Sequence, residues 1–184
     1  AASACVQLTE GEVLQARFRR NTDVVLDDYM EIIARKTASL FKAGARIASY
    51  LAACDEDAMA KLEKCGFEIG TAFQMIDDLL DIEGDSTVTG KRLGTDLMDG
   101  NPSLPVVWGL ELPAVRRAFT QAVSSEEEIG EAIASLREAG VPARVRALAL
   151  EHAERARDLI SSLDASEYRD GLAELVCDMV ERDL

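Results

Sequence analysis

Gly66-Phe67-Glu68-Ile69-Gly70-Thr71-Ala72-Phe73-Gln74-Met75-Ile76-Asp77-Asp78-Leu79-Leu80-Asp81 is the most informative stretch of the chain. At about 100° per residue, Leu62, Ile69, Phe73, Ile76 and Leu80 fall in one narrow stripe. That spacing predicts a helix from about 56 to 83 with the stripe turned to the core. Asp77 lies at the edge of the stripe, with Gln74 and Asp81 slightly further round and Asp78 beyond them. Three carboxylates within about one turn repel one another, and they sit near the helix C-terminus, where the dipole disfavours negative charge. No Lys or Arg lies between Lys64 and Lys91 to compensate. A solvated acidic face at a helix end is one account. The other is a magnesium ion held by one or two carboxylates, with waters and phosphate oxygens filling its remaining sites. The apolar stripe beside the acids, the Gln one turn earlier and the Gly/Lys loop that follows favour the metal-diphosphate site.

Helical periodicity runs through the rest of the chain, and no segment alternates for long as a strand does. A first helix is expected over about 3–20, with Thr9-Glu10-Gly11-Glu12 either capping a late start or lying inside it. Asn21 to Asp28 is turn-like, and a second helix follows to about 53, with Asp27 and Asp28 at its N-terminus. The segment 84–103 is rich in Gly, Ser, Thr and Asp and is expected to be loop. Pro102 and Pro105 suit the first turn of a short helix through Gly109, and Pro113 opens another. Ser124 to Glu128 caps a helix ending at Gly140, Pro142 opens one to about 163, and a last helix follows Ser166. The expectation is an all-α helical bundle, one domain over 1–184, cut at its front edge.

With 48% hydrophobic residues, the chain can build a substantial core. Only 5% of the residues are aromatic, and helices packed through small and aliphatic side chains follow from that. Thirty-four acidic against twenty basic residues give a net charge of −14, and no basic stripe offers a nucleic-acid surface. The same charge repels a free diphosphate, so a polyphosphate ligand needs metal ions as a bridge. Cys5, Cys54, Cys65 and Cys177 are scattered and accompany a single histidine, His152, which argues against zinc and for free thiols in a reducing cytoplasm. No stretch approaches the roughly 20 apolar residues of a membrane span, and the start has no basic region of a signal peptide.

FQMIDDLLD (73–81) followed by GKRLGTDLMDGNPSLP (90–105) resembles the second aspartate-rich region of the trans-isoprenyl diphosphate synthases, or polyprenyl synthetases. Thr9-Glu10-Gly11-Glu12-Val13-Leu14-Gln15 resembles their GE-x-LQ helix, and Tyr29 to Ala38 (YMEIIARKTA) their Y-x-x-x-I-x-x-KTA helix. Dense similarity covers about residues 9–110, and 163–184 loosely resembles the family's terminal helix. The resemblance implies the C-terminal half of an isoprenoid-synthase bundle and a magnesium-dependent prenyltransferase that joins an allylic diphosphate to isopentenyl diphosphate. Geranylgeranyl, farnesyl and polyprenyl products all fall within that expectation. Asp77, supported by Asp78 and Asp81, would hold magnesium, with Asp96 in the outer metal shell. Lys36 and Lys91 would contact the departing diphosphate, and Thr37 and Gln74 would line the cation's path. In that chemistry, magnesium and lysines neutralise charge developing on the diphosphate, and no protein nucleophile is required. A homodimer is also implied, with Val6, Val13 and Leu14 of the first helix at its interface.

Two departures from the family pattern stand out. A first DDxxD with basic residues nearby is absent; Asp27-Asp28-Tyr29-Met30-Glu31 imitates one but stands at a helix start, where capping is the expected role. Asn101 stands where many members have Lys. Two alternatives remain beside the enzyme. One is a non-catalytic or regulatory subunit of a heteromeric prenyl synthase. The other is a class I terpene cyclase fragment, disfavoured because such enzymes mix Asn, Ser/Thr and Glu in their second metal motif.

Overall fold

The α4 helix, Glu56–Glu83, has the limits its sequence predicts, and the other helices assemble before and after it. In this computed structural model, residues 2–84 and 92–181 are described. Before α4 come α1 (Ala2–Arg17), α2 (Leu26–Ile33), a single π-helical turn (Ala34–Ala38) and α3 (Ser39–Leu51). After it come α5 (Thr95–Asp99), α6 (Leu104–Gly109), α7 (Pro113–Thr120), α8 (Glu126–Glu138), α9 (Val141–Ser161) and α10 (Glu167–Glu181). No strand occurs among the described residues.

The helix starts follow local chemistry. Ser125 Oγ accepts from Glu128 N–H at 3.2 Å while Glu128 Oε2 accepts from Ser125 N–H at 2.8 Å, a reciprocal capping box. Asp28 does half of this for α2, its Oδ2 accepting from Val25 N–H at 3.0 Å, so the capping role expected of the 27–31 acids holds for Asp28. Thr9 lies inside α1, its hydroxyl donating to the Cys5 carbonyl at 3.0 Å, which excludes the late start.

Three expectations need correction. The helix expected over 28–53 is interrupted by the π turn, where an extra residue widens the hydrogen-bonded ring and re-aims the side chains. The segment 84–103 is not all loop, because α5 forms within it between Gly94 and Gly100, both at positive φ. The stripe assigned to the core of α4 is the wrong one. Cys65, Glu68, Ala72, Met75, Leu79 and Ile82 are buried, whereas Phe73 is 41% exposed and Leu62, Ile69 and Leu80 are only half-buried. Of the expected stripe, Ile76 alone is fully inside. The helix carries two apolar stripes, and the one through Ala72, Met75 and Leu79 is the buried one.

The chain divides into two compact units, each discontinuous in sequence. One gathers the segments up to Gly11, Ile33–Gln74 and from Ala147 onward; its interior is built from small residues such as Ala4, Ala38, Ala72, Ala153 and Ala156 with Ile160 and Val176. Here Gly11 of α1 meets the π turn so closely that a Cβ would lie 2.6 Å from Lys36 N. The Arg35–Glu10 ion pair at 2.7 Å flanks that crossing. The other unit comprises Glu12–Ile32 and Met75–Arg146, with a bulkier core of Tyr29, Met75, Leu79, Leu104, Phe119 and Leu136. Its turn at Arg20, at φ 58°, is strapped down from both backbone and side chain. Arg20 N–H donates to Gly100 O at 2.9 Å, and the guanidinium donates to Met98 O at 2.8 Å and to the Phe119 and Gln121 carbonyls.

The first unit also buries an ionic group. Glu68 Oε2 contacts His152 Nδ1 at 2.7 Å and accepts from Arg155 Nε at 3.2 Å. Burial pushes the Glu68 carboxyl up, but the His152 and Arg155 contacts outweigh it and hold the group below its ordinary value. Because its folded pKa is depressed, Glu68 contributes stability above the usual carboxylate range and loses it as pH falls through the folded value. Glu68→Gln is expected to cost on the order of 1–3 kcal/mol at pH 7. It should also flatten the acid limb of a urea-denaturation profile measured from pH 7 downward; an unchanged acid limb would remove this assignment.

Candidate active site

Helix α4 ends in three aspartates that the rest of the second unit treats differently. Asp77 is exposed. Asp78 is buried, and its Oδ2 accepts from Leu104 N–H at 2.9 Å, at the first residue of α6. Asp81 reaches the start of α5, where Oδ1 accepts from Thr95 N–H and Oδ2 from Asp96 N–H, each at 2.9 Å. The missing cationic side chains are therefore replaced in part by backbone N–H groups. The last turn of α4 is satisfied in turn by Arg137, which donates to Ile82 O at 2.6 Å.

Asp96 sits in the first turn of α5, with Asn101 Nδ2 donating to its Oδ1 at 3.4 Å and Asn101 itself accepting from Arg19 at 3.2 Å. Burial, then the charges of Asp78 and Asp81, push the Asp96 carboxyl up to about 8. Asp81 is raised as well, chiefly by burial, with its backbone bonds opposing. Asp77, Asp81 and Asp96 line one depression of about 440 Å³ together with Leu80, Arg92, Leu93 and Thr95.

No three acidic, His or Cys side chains among the described residues converge on a single ion-binding point. That suits magnesium, which takes one or two carboxylates and leaves its other positions to water and phosphate oxygens. A further observation fits a cation here: burial first and neighbouring carboxylates second raise the Asp96 carboxyl, and burial and then Asp78 raise the buried Tyr29 hydroxyl beside it. Sequence inspection quoted Tyr29 only as part of a motif and missed its place beside the acids. The Thr95, Asp96 and Leu104 amides leave no sequence signal at all.

In the first unit, Lys36 and Thr37 lie on the π turn and are half-buried. Thr37 Oγ1 donates to Gln74 Oε1 at 2.6 Å, so these two expected site residues fix one another's rotamers. Lys91 lies outside the described residues.

With these positions established, comparison with known proteins is decisive for the family. The polyprenyl synthetase family model matches residues 1–139, and the chain belongs to that family. The short chain isoprenyl diphosphate synthase of Methanothermobacter thermautotrophicus is 33% identical over 184 residues, covering 98% of this chain and 57% of that protein. The octaprenyl diphosphate synthase of Escherichia coli is 32% identical over 182 residues, covering 96% and 56%. A polyprenyl synthase from Caulobacter crescentus, solved with calcium and isoprenyl diphosphate, superposes with a TM-score of 0.92 at 29% identity, covering 98% of this chain and 57% of that one. The heptaprenyl diphosphate synthase of Staphylococcus aureus gives 0.91 at 26% identity, covering 100% and 58%. The fold is thus all-α and of the isoprenoid-synthase type, and the chain spans a little over half the length of these relatives. No helix among the described residues is long and apolar enough to cross a membrane.

Gly94 is the hinge on which Asp96 depends. Its φ is +74°, and a Cβ there would lie 2.4 Å from Ile129 Cγ2. Gly94→Ala is expected to destabilise by about 1–2 kcal/mol from the left-handed backbone alone, with the clash adding to it. Thermal unfolding checks this, and an unshifted melting temperature would contradict the assigned geometry.

Proposed function

We propose that this chain is part of a magnesium-dependent prenyltransferase that condenses an allylic diphosphate with isopentenyl diphosphate to give a longer prenyl diphosphate. The observation that carries this is the acid-lined depression of Asp77, Asp81 and Asp96 at the end of α4, in a chain of the polyprenyl synthetase family. The relatives are isoprenyl diphosphate synthases by name, and one was solved with calcium and isoprenyl diphosphate, which supports both a divalent cation and a diphosphate ligand.

Asp77, exposed at the depression, is the carboxylate assigned to the cation directly. Asp78 and Asp81 each hold backbone N–H groups, which fixes their charge beside it. Asp96 belongs to the outer shell, oriented by Asn101. When bound, magnesium neutralises diphosphate charge and eases departure of the leaving group. By motif resemblance, Lys36 and Lys91 are assigned to the diphosphate as sources of fixed positive charge. The Thr37–Gln74 pair, held by its own hydrogen bond, is assigned by the same resemblance to the path of the allylic cation. A scaffold subunit has no need of buried carboxylates, which cost stability when unpaired.

Val6 and Val13 on α1 are 57% and 60% exposed, and we assign them to a homodimer contact, with Leu14 half-buried beside them. Sedimentation velocity should show a dimer that Val13→Glu weakens; a wild-type monomer at every concentration would end this assignment.

The site itself is tested by calorimetry with inorganic diphosphate. Binding is expected in magnesium, absent in EDTA, weakened by at least about tenfold in Asp77→Ala, and reduced in Lys91→Ala. Equal binding in EDTA would sink the metal assignment.

A further inference from the structure

Helix α1 runs out into two consecutive arginines, and both reach the same stretch of chain. Arg20 holds its backbone: Arg20 N–H donates to Gly100 O at 2.9 Å, and the guanidinium donates to Met98 O at 2.8 Å. Arg19 takes the next side chain, its guanidinium donating to Asn101 Oδ1 at 3.2 Å. Asn101 in turn engages Asp96 and Ser103. Its N–H donates to Asp96 O at 2.8 Å, its carbonyl accepts from Ser103 N–H at 2.9 Å, and Nδ2 donates to Asp96 Oδ1 at 3.4 Å. The Ser103 side chain also hydrogen-bonds the Asp96 carboxylate.

The direction of the Asn101 amide follows from its two neighbours. A guanidinium only donates and an ionised carboxylate only accepts. Between Arg19 and Asp96, Oδ1 therefore faces the arginine and the amide nitrogen faces the aspartate. Turned the other way, the amide would set donor against donor and acceptor against acceptor. Arg19 locks this direction from the far side, and its charge polarises the amide toward stronger donation. A lysine, which many family members carry at this position, would bring a full positive charge here. The amide orients a carboxylate without neutralising it, and the charge stays one residue further out. We propose that Arg19 is a positioning residue for the aspartate cluster: acting through Asn101, it holds the Asp96 carboxylate in its outer-shell place beside the magnesium-diphosphate site. This rests on the function proposed above. Groups at this remove from a metal orient its shell and tune its affinity.

Calorimetry with inorganic diphosphate in excess magnesium tests this through a double-mutant cycle. Asn101→Ala should bind on the order of tenfold more weakly than wild type. Arg19→Met, which keeps the stem and deletes the donors, should bind roughly three- to tenfold more weakly. The decisive arm is the pair: in the Asn101→Ala background, Arg19→Met should have no further effect. A guanidinium acting through space on the anion would weaken binding by the same factor in both backgrounds, and that result would overturn the proposal. So would an Arg19→Met variant that binds as wild type does. Arg19 is exposed, so Arg19→Met should melt within about 2 °C of wild type in EDTA. A larger drop would make Arg19 a strut of its turn rather than a positioning residue, and would overturn the proposal as well. Asp77→Ala separates the two levels of inference. If wild type binds magnesium-diphosphate and Asp77→Ala does not, an indifferent Arg19→Met or an additive cycle removes Arg19 alone. If wild type shows no magnesium-dependent binding, the metal-diphosphate function falls and this proposal falls with it.

Discussion

Everything around the acidic end of α4 depends on how backbone amides keep its carboxylates in place. Asp81 gives one oxygen to Thr95 N–H and the other to Asp96 N–H, and Asp78 gives one to Leu104 N–H. Three backbone dipoles thus hold charge that side chains alone do not seat. The arrangement does structural work in both directions: it seats the carboxylates, and it nucleates two helices of five and six residues that are too short to be stable alone. Dipoles hold charge without neutralising it. The residual repulsion is visible in Asp96, whose carboxyl is driven up to about 8 by burial and by Asp78 and Asp81. A region arranged only for stability has no reason to retain that conflict, whereas a cation site does.

The sequence was most legible where local chemistry decides the outcome. The limits of α4, the Ser125–Glu128 capping box, the start of α9 at Pro142 and the last helix after Ser166 all follow from neighbouring residues. It was least legible where distant groups decide. The short α5 exists because Asp81, fourteen residues upstream of Thr95, supplies its N-terminal acceptors, and its glycine flanks alone suggested only a loop. The π turn at 34–38 coincides with the place where Gly11 of α1 comes within contact of Lys36, an encounter that no periodicity within the segment foretells. The site residues themselves were named by motif resemblance. What motif could not supply was their different settings: Asp77 open to solvent, Asp78 and Asp81 engaged by amides, and Tyr29 buried beside them.

The misassigned face of α4 is itself informative. A wheel drawn on hydrophobicity favours Leu62, Ile69, Phe73, Ile76 and Leu80 because these are its larger apolar residues. Packing instead selects the face bearing Cys65, Ala72, Met75, Leu79 and Ile82. Burial of that face is what the packed interior rewards, whatever the bulk on the opposite side. The helix is left with a second apolar stripe that this chain covers only in part, Phe73 being 41% exposed even with its ring 5.4 Å from that of Phe41.

That leftover stripe runs along the helix toward the acids, Phe73 standing one turn before Asp77 and Leu80 lining the depression with it. A prenyl diphosphate has the same order of chemistries, hydrocarbon and then polyanion. An apolar wall alone would bind any grease, and an acid end alone any cation. Rigidity is the reason to place them on a helix rather than a loop, because the relative position of tail and head is then set by the backbone and not by side-chain choice. The two apolar stripes of α4 thus differ in burial, one holding the fold together and the other only partly covered.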